Sequence, residues 1–138
     1  MKILIKFQVF ICLIIACSTA KSQTLTEKDF KLLIDGKYIN GTAITIEELL
    51  KMKSITTNFT WLSFERIVII IDFRTIDEID HVYDGTMTIS CEGGTISEYA
   101  KSWFKKLRPT SRVFFLAYGA KNKSGKEITI PDIYLRIK

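Results

Sequence analysis

The stretch Phe64–Arg74 decides the fold and reads Phe-Glu-Arg-Ile-Val-Ile-Ile-Ile-Asp-Phe-Arg. In a β-strand successive side chains point to opposite faces, and the alternation here makes one side apolar throughout. That side consists of Ile67, Ile69, Ile71 and Phe73. The other side is apolar at its centre and charged at both ends, at Arg66, Asp72 and Arg74. The pattern predicts a central strand with one fully buried face, and such a strand needs a second layer of structure packed on it.

Other segments also have the composition of strands, namely residues 30–35, 54–58, 86–91 and 112–120. Segment 112–120 is apolar on both sides, so we expect it to be the second buried strand. An acidic loop over residues 76–85, closed by Asp84-Gly85, is expected between the long strand and segment 86–91. After Pro131 the apolar side becomes Ile133, Leu135 and Ile137, which indicates a last strand that begins at a bulge or an edge.

Two capping-box patterns predict helices. Thr45 and Glu48 have the spacing in which each side chain bonds the backbone N–H of the other, so a short helix is expected over Ile46–Met52. Thr95 and Glu98 repeat the spacing before a longer amphipathic helix that ends at Arg108-Pro109. Its predicted apolar side is Ile96, Tyr99, Ala100, Trp103 and Leu107. The expected fold is mainly β, a sandwich with one short and one amphipathic helical segment.

Residues 1–22 have the layout of a secretory signal, with Lys2 and Lys6 before an apolar run. Two processing routes remain open. Cleavage after the small residues Ala20 and Ser22 would release a soluble protein into the periplasm or to the cell surface. Alternatively, Cys17 ends a lipobox-like sequence, and its lipidation would anchor the chain to a membrane. Residues 23–29 are expected to form a flexible lead and residues 30–138 a single sandwich domain.

Charge and cysteine content argue against a nucleic-acid-binding protein and against a disulfide-stabilised one. The chain of 138 residues has a formal charge of +5, but three of its 20 basic residues, Lys2, Lys6 and Lys21, belong to the signal. The remaining near-balance does not predict nucleic-acid binding, which needs clustered Lys and Arg. Only Cys91 lies beyond the signal, so no internal disulfide is expected, and a buried position would suit this small apolar side chain.

Protein binding is expected either through a sheet edge or through the acidic loop, whose candidate residues are Asp77, Glu78, Asp80, His81 and Asp84. It lacks the residue order of a calcium loop and has no second zinc-type ligand near its histidine. There is also no nucleophile elbow, so we predict no catalytic residues, no metal site, no cofactor and no enzymatic activity. The alternative is a small exported hydrolase or carbohydrate-binding protein that uses Asp72, Asp77, Asp80 and His81.

Several blocks together resemble the C-terminal domain of the gliding-motility protein GldM. The blocks are residues 35–41, 47–50, 64–74, 107–115 and 124–133. The resemblance implies an immunoglobulin-like sandwich in the periplasm or beyond, in a family that makes protein contacts during type IX secretion and gliding. A glycine usual after the family's Lys-Pro turn is replaced by Thr110-Ser111, and no motor role is expected. We therefore expect a stand-alone exported domain that binds protein partners in the cell envelope.

Overall fold

The computed structural model describes residues 24–76 and 82–138. Within them the chain forms seven strands, two α-helices and one 3-10 turn at Glu27–Asp29. In chain order the strands and helices are β1 (Leu32–Ile34), β2 (Thr42–Ile44), α1 (Ile46–Lys51), β3 (Ile55–Thr57), β4 (Arg66–Ile76), β5 (Val82–Glu92), α2 (Glu98–Phe104), β6 (Arg112–Tyr118) and β7 (Ile133–Ile137).

The strands form two sheets, one of five strands in the order β2-β7-β6-β4-β5 and one of two strands, β1 and β3. Strands β2 and β7 run parallel, and the remaining pairs are antiparallel. The protein is therefore mainly β with two sheets and two short helices in its described part, as the sequence predicts for a sandwich. The immunoglobulin-like type stays a prediction. Strand β7 lies inside its sheet between β6 and β2, so it is not the edge that Pro131 suggested.

One face of the five-stranded sheet supplies most of the core. Ile67, Ile69 and Ile71 of β4 are at most 1% exposed, which confirms the buried side predicted from their alternation. They belong to one apolar cluster with residues from β1, β3 and both helices, including Leu32, Ile55, Leu49 and Phe104. Phe73 is only half-buried, because β6 pairs with β4 no further than Asp72. Its ring packs instead on Trp103, with ring centroids 5.6 Å apart.

The first helix begins as the capping box predicts. The backbone N–H of Thr45 donates to Glu48 Oε2 at 2.7 Å, and the backbone N–H of Glu48 donates to Thr45 Oγ1 at 3.1 Å. Since these bonds satisfy N–H groups that a helix start leaves free, they fix where α1 begins. The bond from the Thr45 backbone holds the pKa of Glu48 below its ordinary value.

The second helix differs from its prediction at both ends. Its cap is Ser97, whose Oγ accepts from the Ala100 N–H at 3.1 Å, whereas Thr95 forms a β-bridge with Ser54. The helix ends at Phe104, before Arg108-Pro109 is reached. Its buried side includes Phe104, which the prediction omitted, and excludes Tyr99, which is 59% exposed. The helix therefore faces the core with Ala100 and Phe104, which lie four residues apart on one side.

The β4–β5 hairpin is longer than predicted. The two strands stay paired as far as Ile76 and Val82, so residue 76 and residues 82–85 belong to the strands and not to the expected loop over residues 76–85. The Asp84-Gly85 pair therefore does not close a turn, which corrects the sequence prediction. Gly85 lies opposite Phe73 within the ladder, and a Cβ there would come within 2.7 Å of the Phe73 ring. The glycine is needed for this close ring packing.

Strand β6 is buried on one side only, which corrects the expectation that both of its sides are covered. Val113 and Phe115 are fully buried in the core. Their neighbours Phe114 and Leu116, on the opposite side, are half-buried, and Tyr118 is 51% exposed. The difference arises because the two-stranded sheet and both helices contribute to the core on one face of the five-stranded sheet.

Candidate interaction surface on the open face of the sheet

The second side of the five-stranded sheet is called the open face below. Cross-strand register places apolar and aromatic residues from three adjacent strands on this side, namely Val68, Ile70, Phe114, Leu116, Tyr118 and Tyr134. All of them are half-buried or exposed. Beside them, β5 contributes the exposed hydroxyl side chains of Thr86, Thr88 and Ser90. The open face is therefore a contiguous area that is apolar at its centre and polar toward β5.

Tyr134 lies at the β7 side of this area, and its backbone is held by hydrogen bonds. It lies opposite Phe114 in the β6–β7 register, and the two ring centroids are 5.8 Å apart. Its backbone N–H donates to Asn40 Oδ1 at 3.0 Å, and its carbonyl accepts from the Gly41 N–H at 2.8 Å. These contacts fix the position from which the ring projects, so a partner would meet a surface that is already ordered.

Arginines border the aromatic residues. The Arg112 guanidinium stacks over the Phe114 ring at 5.7 Å and donates from Nε and Nη2 to Asp72 Oδ2, at 3.1 and 2.6 Å. Arg66 stacks over the Tyr118 ring at 5.3 Å. Within the described part of the chain, no carboxylate lies within ion-pair distance of Arg66 or Arg136. Arginine beside tyrosine and phenylalanine is the composition that protein interfaces favour.

Most of the predicted interaction loop lies outside the described residues, and so does Cys17. The loop positions concerned are Asp77, Glu78, Asp80 and His81. Asp84 is described, lies in β5 in register with Arg74, and is exposed. The loop and the lipidation site both stay predictions, since their geometry is not tested.

The enzyme alternative requires Asp72 to act with Asp77, Asp80 and His81. In the structure the Asp72 carboxylate accepts both donors of Arg112 on the open face. The other three residues are outside the described ranges, so their convergence with Asp72 is untested. Among residues 24–76 and 82–138, no three His, Cys, Asp or Glu side chains are placed to hold a metal ion.

Cys91 is buried as predicted for a small apolar side chain. It is 3% exposed, and its Sγ donates to Ser97 Oγ at 3.5 Å. The cap of α2 therefore packs directly on β5. The thiol fills a core position rather than a surface site.

Two depressions in the described surface can be compared with the positions of Asp72 and Asp84. One, of about 540 Å³, is bounded by β3, the segment 59–64 and Gly93-Gly94. Another, of about 410 Å³, is lined by Phe30, Trp61 and Glu127 among others. Neither is lined by Asp72 or Asp84, so these depressions offer the enzyme alternative no support.

The residues of the open face were not identified as a site from the sequence. A signal was nevertheless present in β7, where Tyr134 and Arg136 alternate with three buried aliphatic residues. An aromatic ring and a guanidinium on the outward side of a strand are typical of a protein interaction surface. In β6 the same side carries Arg112 and Tyr118.

Neither helix in the described part of the chain has the length and apolar character that a membrane crossing requires. Comparisons of the chain with family models, with curated proteins and with solved structures found no match.

Proposed function

We propose that the protein is an exported, non-enzymatic binding module of the cell envelope that recognises another protein through its open face. The supporting observation is the ordered area around Phe114 and Tyr134, with arginines at its border. In this proposal the sandwich is of the immunoglobulin-like type and is related in role to the C-terminal domain of GldM. Its partners belong to the machinery of secretion or gliding, or to structures associated with it.

A protein partner suits this surface better than a small molecule does. The apolar residues spread across β4, β6 and β7 as a sheet face, whereas small-molecule sites are concave and enclose their ligand. Tyrosine, phenylalanine and arginine are the residues from which interfaces draw most of their binding free energy. Half-exposed rings whose backbones are already fixed lose little conformational entropy when a partner covers them.

The charges of the open face indicate what the partner should offer. Arg112 already has a carboxylate partner in Asp72, whereas Arg66 and Arg136 have none within the described residues. Arg136 Nε instead donates to the Gly41 carbonyl at 3.3 Å. A partner with carboxylates at the rim of its apolar patch would pair with both guanidinium groups. The proposed partner therefore presents an apolar centre with acidic residues toward Arg66 and Arg136, while the β5 border of the same face carries Asp84 and Glu92.

Export rests on the layout of residues 1–22, with lipidation of Cys17 as the alternative route. The mass of the intact chain purified from its native cells separates the two. A soluble chain that begins at Gln23 supports cleavage by an ordinary signal peptidase. A lipid-modified chain that begins at Cys17 would place the module on a membrane surface, and a chain that retains Met1–Ser22 would contradict export.

Site-specific photo-crosslinking tests the binding surface. A benzoylphenylalanine is introduced at Tyr118 on the open face and, as a matched control, at Tyr38 outside it. The two tyrosines suit this comparison because both are 51% exposed and both have a cation over the ring, Arg66 at 5.3 Å and Lys31 at 5.0 Å. Irradiation of intact cells should give a discrete heavier species from position 118 and not from position 38.

Purification of that species and mass spectrometry then identify the partner. An acidic envelope protein crosslinked at position 118 supports the proposal. Equal crosslinking at both positions, or none at position 118 while position 38 reacts, would show that the open face is not the binding surface.

A further inference from the structure

Strand β5 forms one edge of the five-stranded sheet. Among the described residues its strand partner is β4, and it runs for 11 residues, Val82–Glu92. The opposite edge is β2, which has only 3 residues. The sheet therefore ends in one short edge and one long edge, and only the long edge could pair with a complete additional strand.

The backbone groups at this edge can be assigned from the register. The Gly93 N–H donates to the Glu65 carbonyl at 2.9 Å, which makes this a hydrogen-bonded pair of the β4–β5 ladder. Antiparallel pairs alternate between bonded and non-bonded positions. Met87, Ile89 and Cys91 therefore bond to β4, whereas Thr86, Thr88 and Ser90 direct their N–H and C=O groups outward.

The edge lacks the devices that normally prevent strand pairing. Natural edges carry lysine, proline, bulges or inward charges that exclude another strand. The central stretch Thr86–Cys91 reads Thr-Met-Thr-Ile-Ser-Cys and contains none of these residues. Its pairing with β4 proceeds without interruption from Val82 to Glu92, so there is no bulge. A long, regular edge without charge in its central stretch is suited to accepting a strand.

From these features we infer that β5 binds an extended segment of a partner protein, which joins the sheet as a sixth strand. The row of outward N–H and C=O groups is better suited to pairing with another extended backbone than to binding any other kind of ligand. Side chains of the incoming strand would lie alternately beside the hydroxyls of Thr86, Thr88 and Ser90 and beside half-buried Met87. The segment should therefore alternate hydroxyl and apolar residues.

Charge at the two ends of the edge specifies the partner further. Asp84 and Glu92 are both exposed and lie on the same side of the strand as the threonines. Lysine or arginine at the corresponding ends of the incoming segment would therefore pair with them. A second copy of the chain suits the edge less well. In the antiparallel register that pairs all of Asp84–Glu92 with its symmetry mate, Asp84 faces Glu92 at both ends, and opposed like charges destabilise a pair.

The edge borders the open face at β5, but its backbone groups are distinct from the apolar and aromatic side chains of the proposed interface, so this inference does not depend on the proposed function. Strand addition uses the backbone of β5, whereas the proposed interface uses side chains of β4, β6 and β7. Absence of a photo-crosslink at Tyr118 would not contradict strand addition at the edge, and absence of strand addition would not contradict binding at the open face.

The test uses a synthetic peptide with the length of Asp84–Glu92, lysine at both ends and alternating valine and threonine between. Paired antiparallel to β5, its threonines face Thr86, Thr88 and Ser90, so their amides form the bonds to the edge. The binding peptide carries N-methyl groups on its valine amides, which face away and would otherwise let the peptide self-associate. The control peptide has the same composition with N-methyl groups on the threonine amides instead.

The measurement is amide hydrogen exchange of the purified mature protein by NMR. With the binding peptide at saturation, exchange at Thr86, Thr88 and Ser90 should slow by about tenfold or more. The control peptide should change none of these rates. Thr88→Pro removes an outward N–H and should abolish the effect, and Glu92→Lys should weaken binding of the lysine-ended peptide while the fold and its exchange pattern elsewhere persist.

Three outcomes would overturn the inference. Unchanged exchange at the three edge amides with the valine-methylated peptide would show that β5 does not accept a strand. Equal effects of the two peptides would show that binding does not use the backbone edge. Protection of the same amides in protein alone, accompanied by a dimer in analytical ultracentrifugation, would assign the edge to a second copy instead of a partner.

Discussion

Adjacent phenylalanines on β6 provide a direct test of the division between core and open face. Phe115 is 0% exposed and belongs to the core cluster, whereas Phe114 is half-buried on the opposite side of the strand. Both are replaced by alanine, so the chemical change is the same. We expect Phe115→Ala to lower the free energy of unfolding by about 3–5 kcal/mol, the range for a buried phenylalanine that leaves a cavity.

The expected loss for Phe114→Ala is smaller for two physical reasons. Full burial of such a side chain contributes about 1.5–3 kcal/mol, so half-burial contributes about 1 kcal/mol. In addition, a site open to solvent leaves no enclosed cavity, and the loss is limited to surface contacts such as those with Tyr134 and Arg112. We therefore expect a loss of about 1–1.5 kcal/mol.

Urea unfolding monitored by fluorescence measures both values, with a common m-value as the check that the variants unfold from the same native state. In a thermal melt, each kcal/mol should lower Tm by about 4–8 °C for a domain near this size. If Phe115→Ala does not fold, Phe115→Leu replaces it, with an expected loss of about 1–1.5 kcal/mol. Equal losses for the two alanine variants would refute the division, because both faces would then be equally packed.

Other substitutions test local features of the fold. Glu48→Gln should lower the free energy of unfolding at neutral pH. This deficit should shrink as the pH falls below about 4.5, because the pKa of Glu48 is lowered in the folded state and its stabilising charge is lost only in that range. Urea midpoints between pH 7 and pH 3 measure the deficit, and a constant value would contradict the prediction. Gly94→Ala should lower the free energy of unfolding by about 1–3 kcal/mol or more, since the added Cβ would overlap the Ile55 carbonyl. Thermal melts measure the loss, and an unchanged Tm would show that the backbone adjusts freely. Asp72→Asn should lower the free energy of unfolding by less than about 1 kcal/mol, because the side chains of Asp72 and Arg112 are 42% and 53% exposed and water screens their attraction. A larger loss in urea unfolding would indicate a structural role for the pair.

The parts of the fold that the sequence predicts correctly are those with local signals. The alternation of Ile67, Ile69 and Ile71 identifies a buried side because strand geometry fixes which side chains share a face. The Thr45 and Glu48 spacing locates a helix start because both bonds form within one turn. Neither prediction requires knowledge of the neighbouring elements.

The parts that it predicts incorrectly depend on distant contacts. Asp84-Gly85 has the composition of a turn, but pairing with β4 and the ring of Phe73 keep it extended. Phe114 and Leu116 are apolar and were expected to be buried, since alternation shows which residues share a face but not whether another layer covers that face. The same limit hid the candidate interaction surface, which consists of residues with core-like composition on the uncovered side.

Under the proposed function, the arginines would keep the apolar face hydrated until a partner covers it. Arg112 lies over the Phe114 ring while Asp72 holds its guanidinium, and Arg66 lies over the Tyr118 ring. Each guanidinium shields apolar surface and keeps contact with water. A partner that covers the rings must therefore replace that water with its own carboxylates, because a guanidinium buried without a partner would oppose binding. Under the proposed function, this requirement would make the open face selective for an acidic apolar surface, and association should slow as added salt screens Arg66 and Arg136.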